Sequence, residues 1–141
     1  MDDQQQAIDA ILGGMRRVAV VGISDNPARA SNRVAVYLIG QGFTIFPVNP
    51  LLKRVCSLEC HPGLKALPEP VEVVDVFRRS AEAGAVVDDA IEIGAKAVWL
   101  QEGVIDEAAA ERARRAGLLV VMDRCMLKEH AMRAKRGGAF S

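Results

Sequence analysis

Short runs of β-branched and other apolar residues alternate along this chain with stretches in which apolar residues recur every three or four positions. The runs are apolar at successive positions, which is typical of parallel strands that are covered on both faces. They predict five strands, at about residues 17–21, 43–48, 71–77, 97–101 and 118–122. The stretches between them have the spacing of amphipathic helices.

The helical stretches have recognisable ends. A leading helix carries Ile8, Ile11, Leu12 and Met15 on one face. Ser31, Ser80 and Asp106 are residue types that cap helix N-termini, and the glycines that follow each stretch are typical of helix ends. A last helix begins at about 126–128, with a tail that we expect to fray from about residue 131. Residues 51–70 predict a loop with at most one helical turn, at about 62–67.

The alternation of strands and helices predicts an α/β fold, with a parallel sheet between two layers of helices. The 141 residues suit one domain over 1–141, and half of them are hydrophobic, which is ample for a single core. We find no repeat of fixed period. Right-handed crossovers restrict the order in which the strands can lie.

Charge and composition exclude several classes of function. The 18 basic and 18 acidic residues cancel, whereas a dedicated duplex-binding protein usually has a basic excess, so we expect no nucleic-acid partner. No apolar run approaches the roughly 20 residues that span a bilayer, and the acidic start of the chain does not have the pattern of a signal peptide. We therefore expect a cytoplasmic protein without a membrane partner. Three cysteines, an odd number, fit reduced thiols in that compartment.

Polar residues follow each predicted strand, and the carboxyl ends of parallel strands are where open α/β sheets bind ligands. The first strand leads through Gly22 and Ser24 into a loop and then a helix, which is how such sheets present backbone N–H groups to an anion. The residues delivered to this edge are Gly22, Ile23, Ser24, Asn26; Asn49, Pro50, Lys53, Arg54; Phe77, Arg78, Arg79; Gln101, Glu102, Gly103; and Asp123, Arg124, Cys125. They predict a site for a ligand that carries phosphate.

Two features argue against a nicotinamide enzyme. The loop has the pattern Gly22-x-Ser24-x-x-Pro27 rather than G-x-G-x-x-G, and Asn49 stands where an acidic residue would hold a ribose hydroxyl. The basic residues of this region suit a nucleotide that carries an additional phosphate; they are Arg29, Arg33, Lys53 and Arg54.

A set of segments in this order is similar to one known family. The segments are Val21-Gly22-Ile23-Ser24 with Pro27, Arg29, Ser31 and Val34; Pro47-Val48-Asn49-Pro50; Val73 to Arg78; Gly94 to Gln101 with Gly103; and Ala116-Gly117 with Val120 to Cys125. Together they cover roughly residues 15–128. The chain resembles the CoA-binding-domain family of small bacterial and archaeal proteins, whose fold is like that of the N-terminal CoA-binding domain of the succinyl-CoA synthetase α subunit.

The resemblance implies a Rossmann-like sheet of about five strands in the order 3-2-1-4-5 that binds coenzyme A or an acyl-CoA. It places Gly22, Ile23, Ser24 and Asn26 at the pyrophosphate, and Arg29 belongs to the same matching segment. It places Asn49, Pro50 and Lys53 near the adenosine and its 3′-phosphate. Phe77 and Arg78 would line the pocket, and Leu100, Gln101 and Glu102 would face the pantetheine arm.

Three functions remain open at this point. The first is a non-catalytic carrier, sensor or regulatory module, which is favoured because no nucleophile–base pair stands out in the sequence. The second is an enzyme of CoA-thioester chemistry that uses Cys125 or Glu102, and a disulfide between Cys125 and CoA is a related hypothesis. The third is a docking partner of a larger synthetase-type subunit. We predict no metal site, because Cys56, Cys60 and His61 lack the spacing of a zinc or haem motif.

Overall fold

A computed structural model describes residues 4–138 of the chain. Its helices and strands follow one another in the predicted alternation. The helices are α1 (Gln4–Gly14), α2 (Ala30–Gly40), α3 (Ser80–Glu92), α4 (Glu107–Arg115) and α5 (Met126–Gly138), with a 3₁₀ turn at Leu64–Ala66. The strands are β1 (Arg17–Val21), β2 (Thr44–Val48), β3 (Arg54–Val55), β4 (Leu58–Glu59), β5 (Val73–Val76), β6 (Ala97–Leu100) and β7 (Leu119–Met122).

Five strands form one parallel sheet in the order β2-β1-β5-β6-β7. Counted along the chain, these five strands are ordered 2-1-3-4-5, the second common order of doubly wound sheets. The predicted order 3-2-1-4-5 differs from this, because it would place β2 between two partners. Pro47, which pairs with Val20, has no N–H group to donate and so favours an edge strand. The carboxyl ends of β1 and β5 therefore flank the point where the chain changes direction across the sheet.

Helices cover both faces of the sheet, so the three-layer α/β/α architecture is as predicted. On one face α3 and α4 bury Val74, Val76, Val98 and Leu100. On the other face α1, α2 and α5 bury Val18, Val20, Val73 and Trp99. Apart from Arg17 at the start of β1, the residues of β1, β5 and β6 are almost wholly inaccessible to solvent, which agrees with strand sequences that are apolar except at Arg17 and Asp75.

The predicted helix ends are confirmed in part. Asp106 caps α4 as predicted, with its carboxylate accepting a hydrogen bond from the N–H group of Ala109 at 3.0 Å. Ser31 and Ser80 do not cap, because α2 begins two residues earlier, and α3 one residue earlier, than those caps require. Ser80 Oγ instead bridges the Gly103 carbonyl and the Ile105 N–H group, which fixes the loop after β6. Helix α5 continues to Gly138, past the residue where fraying is expected, and the end of that tail lies outside the described residues.

A small hairpin, β3–β4, stands where the sequence analysis expects only a loop. Its strands have two residues each, and the turn between them is Cys56-Ser57, with φ of 54° and 63°. Turns of this kind strongly favour Asn-Gly, because other L residues are strained at positive φ. The absence of glycine from this turn explains why the hairpin is not evident from the sequence.

Replacing Ser57 by glycine is expected to raise the free energy of unfolding by about 1 kcal/mol, because glycine adopts φ of 63° without strain. Urea denaturation would measure the change. Ala134→Gly, in the exposed part of α5, is the contrasting control and should lower the free energy of unfolding by a similar amount. Equal losses in both variants would show that the Cys56-Ser57 turn carries no strain.

Candidate ligand site at the carboxyl edge of the sheet

A cavity of about 450 Å³ opens at the carboxyl ends of β1, β5 and β6, where the starts of α2 and α3 approach each other. This is the size of ordinary small-molecule sites and the expected position in a doubly wound sheet. We call it the edge cavity. Its lining residues are Gly22, Ser24, Arg29, Ala30, Ser31, Phe77, Arg78, Arg79, Gln101, Glu102, Gly103, Val104 and Cys125.

Gly22 forms the turn that leads from β1 into this cavity. Its φ is +86°, and a Cβ atom at this position would collide with the carbonyl oxygen of Phe77. The Gly22 N–H group donates to the Val48 carbonyl at 2.9 Å, so that the turn is held against β2. Glycine is therefore required here by the close approach of two strand ends as well as by the backbone angle.

The loop at 22–29 uses most of its own backbone N–H groups. The Ser24 N–H group donates to Ser31 Oγ at 2.9 Å, and the Asn26 N–H group donates to Ser24 Oγ at 3.0 Å. The N–H groups of Ala28 and Arg29 both donate to Asn26, at 2.9 and 3.0 Å. The N–H groups of Ser24, Asn26, Ala28 and Arg29 are thus already bonded within this segment, which leaves fewer loop amides for an anion than the sequence predicts.

The edge cavity has other hydrogen-bond donors besides the loop amides. The first N–H groups of α2 have no partner within the helix, and Ala30 and Ser31 line the cavity. The hydroxyl groups of Ser24 and Ser31 accept hydrogen bonds from the loop, and each retains its own hydrogen to donate. Asn32 holds the Ser24 carbonyl at 2.9 Å, which fixes the loop on the helix. The site is therefore suited to an anion at the N-terminus of α2.

Three arginines border the edge cavity and make it positive. Arg29 immediately precedes α2, and Arg78 and Arg79 immediately precede α3. Arg79 is bound to Glu82 at 2.6 Å and its side chain is 87% exposed. Arg78 is only 31% exposed, and its nearest carboxylate oxygen, on Glu82, is 4.0 Å away. Of the two arginines before α3, Arg78 is therefore the better placed to interact with an anion in the cavity.

The opposite wall of the cavity follows β6 and β7. Glu102 is bound to Lys128 at 3.1 and 3.2 Å, so its charge is compensated. Asp123, at φ of 60°, accepts a hydrogen bond from the Gly103 N–H group at 2.7 Å, which fixes the loop that carries Gln101 and Glu102. Cys125 also lines this wall and is partly exposed.

Sequence reasoning missed the most unusual residue near the site. Asp75 lies within β5 and is fully buried, and its Oδ1 atom accepts a hydrogen bond from Gln101 Nε2 at 2.7 Å. Burial raises the pKa of Asp75 to about 7, although the Gln101 hydrogen bond opposes the shift. The signal in the sequence was a carboxylate within the apolar run 71–77, where an unpaired acid is costly.

The family resemblance implies thirteen site residues. The structure brings seven of them to the edge cavity and places the other six elsewhere at this end of the sheet or in the core beneath it. The seven are Gly22, Ser24, Arg29, Phe77, Arg78, Gln101 and Glu102. Ile23 and Leu100 lie in the core and support the site from beneath. Asn26 is exposed and shapes the loop through its own hydrogen bonds.

Asn49, Pro50 and Lys53 lie beyond β2. Asn49 Nδ2 donates to the Ile23 carbonyl at 2.8 Å, which ties the end of β2 to the loop after β1. Pro50 lines a second cavity of about 160 Å³, and Arg78 borders both cavities. Lys53 is exposed on the same loop and lines neither of these two cavities.

The cysteines near β3 and β4 show no metal-binding arrangement. Burial raises the pKa of both Cys56 and Cys60, which disfavours thiolate ligands. Within 4–138, no group of three or more His, Cys, Asp or Glu side chains is arranged to hold a metal ion. Over the same residues, no helix is both long and apolar enough to cross a bilayer.

Comparison with known proteins identifies similar chains. A family model described as a CoA binding domain matches residues 16–131. The uncharacterized protein YneT of Bacillus subtilis (strain 168) is 35% identical over 125 residues, which cover 89% of this chain and 93% of that protein. The ADP-forming acetate–CoA ligase I of Archaeoglobus fulgidus is 25% identical over 122 residues, but the match spans only 17% of that ligase.

Solved structures are also similar. A hypothetical protein from Pyrococcus horikoshii OT3 is 37% identical, with a TM-score of 0.87 over 90% of this chain and 89% of that one. A Thermus thermophilus protein, cell-free ID.343, is 32% identical, with a TM-score of 0.85 over 94% and 98% of the two chains. The dinucleotide-forming acetyl-coenzyme A synthetase 1 of Ca. Korarchaeum cryptofilum shares the fold, with a TM-score of 0.70 over 27% of its own length.

Proposed function

Because the chain belongs to the family of CoA-binding domains, we propose that it binds coenzyme A or an acyl-CoA at the edge cavity. We further propose that it acts as a carrier, sensor or regulatory module and does not turn the ligand over. In this arrangement the diphosphate lies at the N-terminus of α2, and the pantetheine arm extends along the wall formed by Gln101 and Glu102. The adenosine end extends past Arg78 toward Pro50.

The observation that supports this proposal best is the shared position of Arg78. Arg78 lines both the edge cavity and the smaller cavity beside Pro50, so one cationic residue is common to the two cavities. Coenzyme A is elongated, with its diphosphate between an apolar-faced base and a flexible arm. A cation between two cavities, beside a helix N-terminus, fits a central diphosphate.

Native mass spectrometry of the freshly purified protein tests the ligand class directly. The proposal predicts a complex whose additional mass equals that of coenzyme A or an acyl-CoA, and saturable one-to-one binding of added coenzyme A by isothermal titration calorimetry. Protein that carries no such mass and releases no heat with coenzyme A would reject the proposal. Conversion of an added acyl-CoA, abolished by Cys125→Ala, would replace the carrier role with thioester chemistry.

Lys53→Glu is expected to weaken binding of coenzyme A by roughly three- to tenfold and binding of 3′-dephospho-CoA by much less. The reason is that Lys53 is exposed and follows Pro50 by three residues, on the side of the sheet where we propose that the adenosine end and its 3′-phosphate bind. Calorimetric titration of both ligands measures the two losses, with dephospho-CoA as the internal control. Equal losses for the two ligands would place the 3′-phosphate elsewhere.

A further inference from the structure

Asp75 lacks a complete set of hydrogen-bond partners. It lies between Val20 of β1 and Trp99 of β6 and is fully buried. Its Oδ1 atom accepts the bond from Gln101, whereas no described residue is a hydrogen-bond partner of Oδ2. An unsatisfied buried polar atom destabilises the folded state, and valine would suit this strand position better. A purely structural role does not account for an acid here.

Gln101 connects Asp75 with the edge cavity. Its amide has a donor end, Nε2, and an acceptor end, Oε1. Nε2 donates a hydrogen bond to Asp75 Oδ1 at 2.7 Å, and Gln101 also lines the cavity. Within the described part of the chain no donor is bonded to Oε1, and Oε1 is not among the fully buried unpartnered atoms. The acceptor end is therefore the end that remains accessible to a ligand.

We propose that Asp75 is a positioning residue, which holds the acceptor end of the Gln101 amide toward the cavity so that the site selects a ligand group that donates a hydrogen bond. This inference rests on the proposed function, and in coenzyme A the matching donors are the amide N–H groups of the pantetheine arm. Protonation of Asp75 would reverse the arrangement. The neutral carboxyl group can donate to Oε1, which turns Nε2 toward the cavity and removes the acceptor.

Asp75 has no charged neighbour that would obscure this coupling. Its strand neighbours, Val20 and Trp99, do not titrate. The shift in its pKa comes from burial, with Gln101 acting in the opposite direction, and from no charged side chain. The charged and titratable side chains of the three helices that pack on this face are Asp9, Arg33, Tyr37, Lys128, Glu129, His130, Arg133, Lys135 and Arg136.

Most of those side chains have partners away from Asp75. Tyr37 is bonded to His130 at 2.8 Å, and Lys128 is bonded to Glu102. Asp9 pairs with Arg133, and Glu129 pairs with Arg124. If the ligand affinity changes with pH around the pKa of Asp75, the change can therefore be assigned to that residue by comparison with a variant that lacks the carboxyl group.

Calorimetric titration of coenzyme A into the wild type and Asp75→Asn, at about pH 5.5 and about pH 7.8, tests the coupling. The affinity of the wild type relative to the variant is expected to rise by roughly three- to tenfold over this range, the value of one hydrogen bond. Ionisation of the ligand cancels, because both proteins bind the same compound. An unchanged ratio with both proteins binding would overturn this inference alone, whereas no binding by either would overturn the proposed function.

The side-chain amide signals of Gln101 in a ¹H–¹⁵N spectrum of the ligand-free wild type give a second test, which does not depend on how the Asp75 variant folds. The signals are assigned by their loss in Gln101→Met. They are expected to shift with pH, with a midpoint near the pKa of about 7 to which burial raises the Asp75 carboxyl group. A Gln101 amide whose signals do not change across this range would overturn the role of Asp75, whatever the affinity measurements show.

Discussion

Replacing Arg78 by glutamate is expected to weaken coenzyme A binding by about a hundredfold. Arg78 is less exposed than Arg79, the other arginine that precedes α3. The nearest carboxylate oxygen to Arg78 is 4.0 Å away, so its charge is available to an anion. A charge-assisted hydrogen bond contributes about 1.5–3 kcal/mol, and a carboxylate in its place adds repulsion. Since about 1.4 kcal/mol corresponds to a tenfold change, the loss is readily measured by calorimetry.

Arg115→Glu is the matched control for this variant. It changes the net charge by the same amount but lies on α4, outside the edge cavity, with its side chain 79% exposed and paired with Glu111. We expect its affinity for coenzyme A to stay within about twofold of the wild type, because exposed charges are screened over distance. Similar losses in both variants would mean that only the overall charge matters, and an unaffected Arg78→Glu variant would remove the diphosphate from this position.

Asp75→Asn is expected to stabilise the protein far more at about pH 8 than at about pH 5. The folded state raises the pKa of Asp75 from 3.8 to about 7, so between these values the folded protein binds the proton more tightly than the unfolded chain does. The wild type therefore loses stability as pH rises, and the loss is complete only above about pH 7. The asparagine variant lacks this loss, so its advantage should grow by about 3 kcal/mol across the interval.

Urea denaturation of the wild type and the variant at both pH values measures this difference. Asp25→Asn is the control, because Asp25 is exposed in the loop after β1. Its effect on the free energy of unfolding should be small and the same at both pH values. If the advantage of Asp75→Asn did not change with pH, the buried carboxyl group would not be titrating in this range, and the proposed coupling to Gln101 would lose its basis.

The helices and strands of this fold can be predicted from local sequence. The order of the strands in the sheet is harder to predict. Runs that are largely apolar locate each strand of the sheet to within a few residues, because burial on both faces requires them. Whether β5 pairs with β1 or with β2 depends on contacts between distant parts of the chain. Pro47 held the relevant information, since its missing N–H group favours an edge strand.

The position of the candidate site can be predicted better than its hydrogen bonds. The carboxyl edge follows from the parallel sheet alone, and seven predicted residues line the cavity there. The hydrogen bond from the Ser24 N–H group to Ser31 Oγ joins residues seven positions apart. It depends on how the Ser31 side chain is oriented at the start of α2, which the sequence does not reveal. Asp75 was overlooked because a single acid in an apolar run is read as part of a strand, and its pairing with Gln101 requires the register of β5 and β6.

The crystal structure of the protein with saturating coenzyme A tests the central claim most directly. The account predicts the diphosphate at the N-terminus of α2, with Arg78 in contact with it and the pantetheine arm along Gln101. An edge cavity that stays empty at saturating ligand, or coenzyme A bound on another surface of the chain, would contradict it.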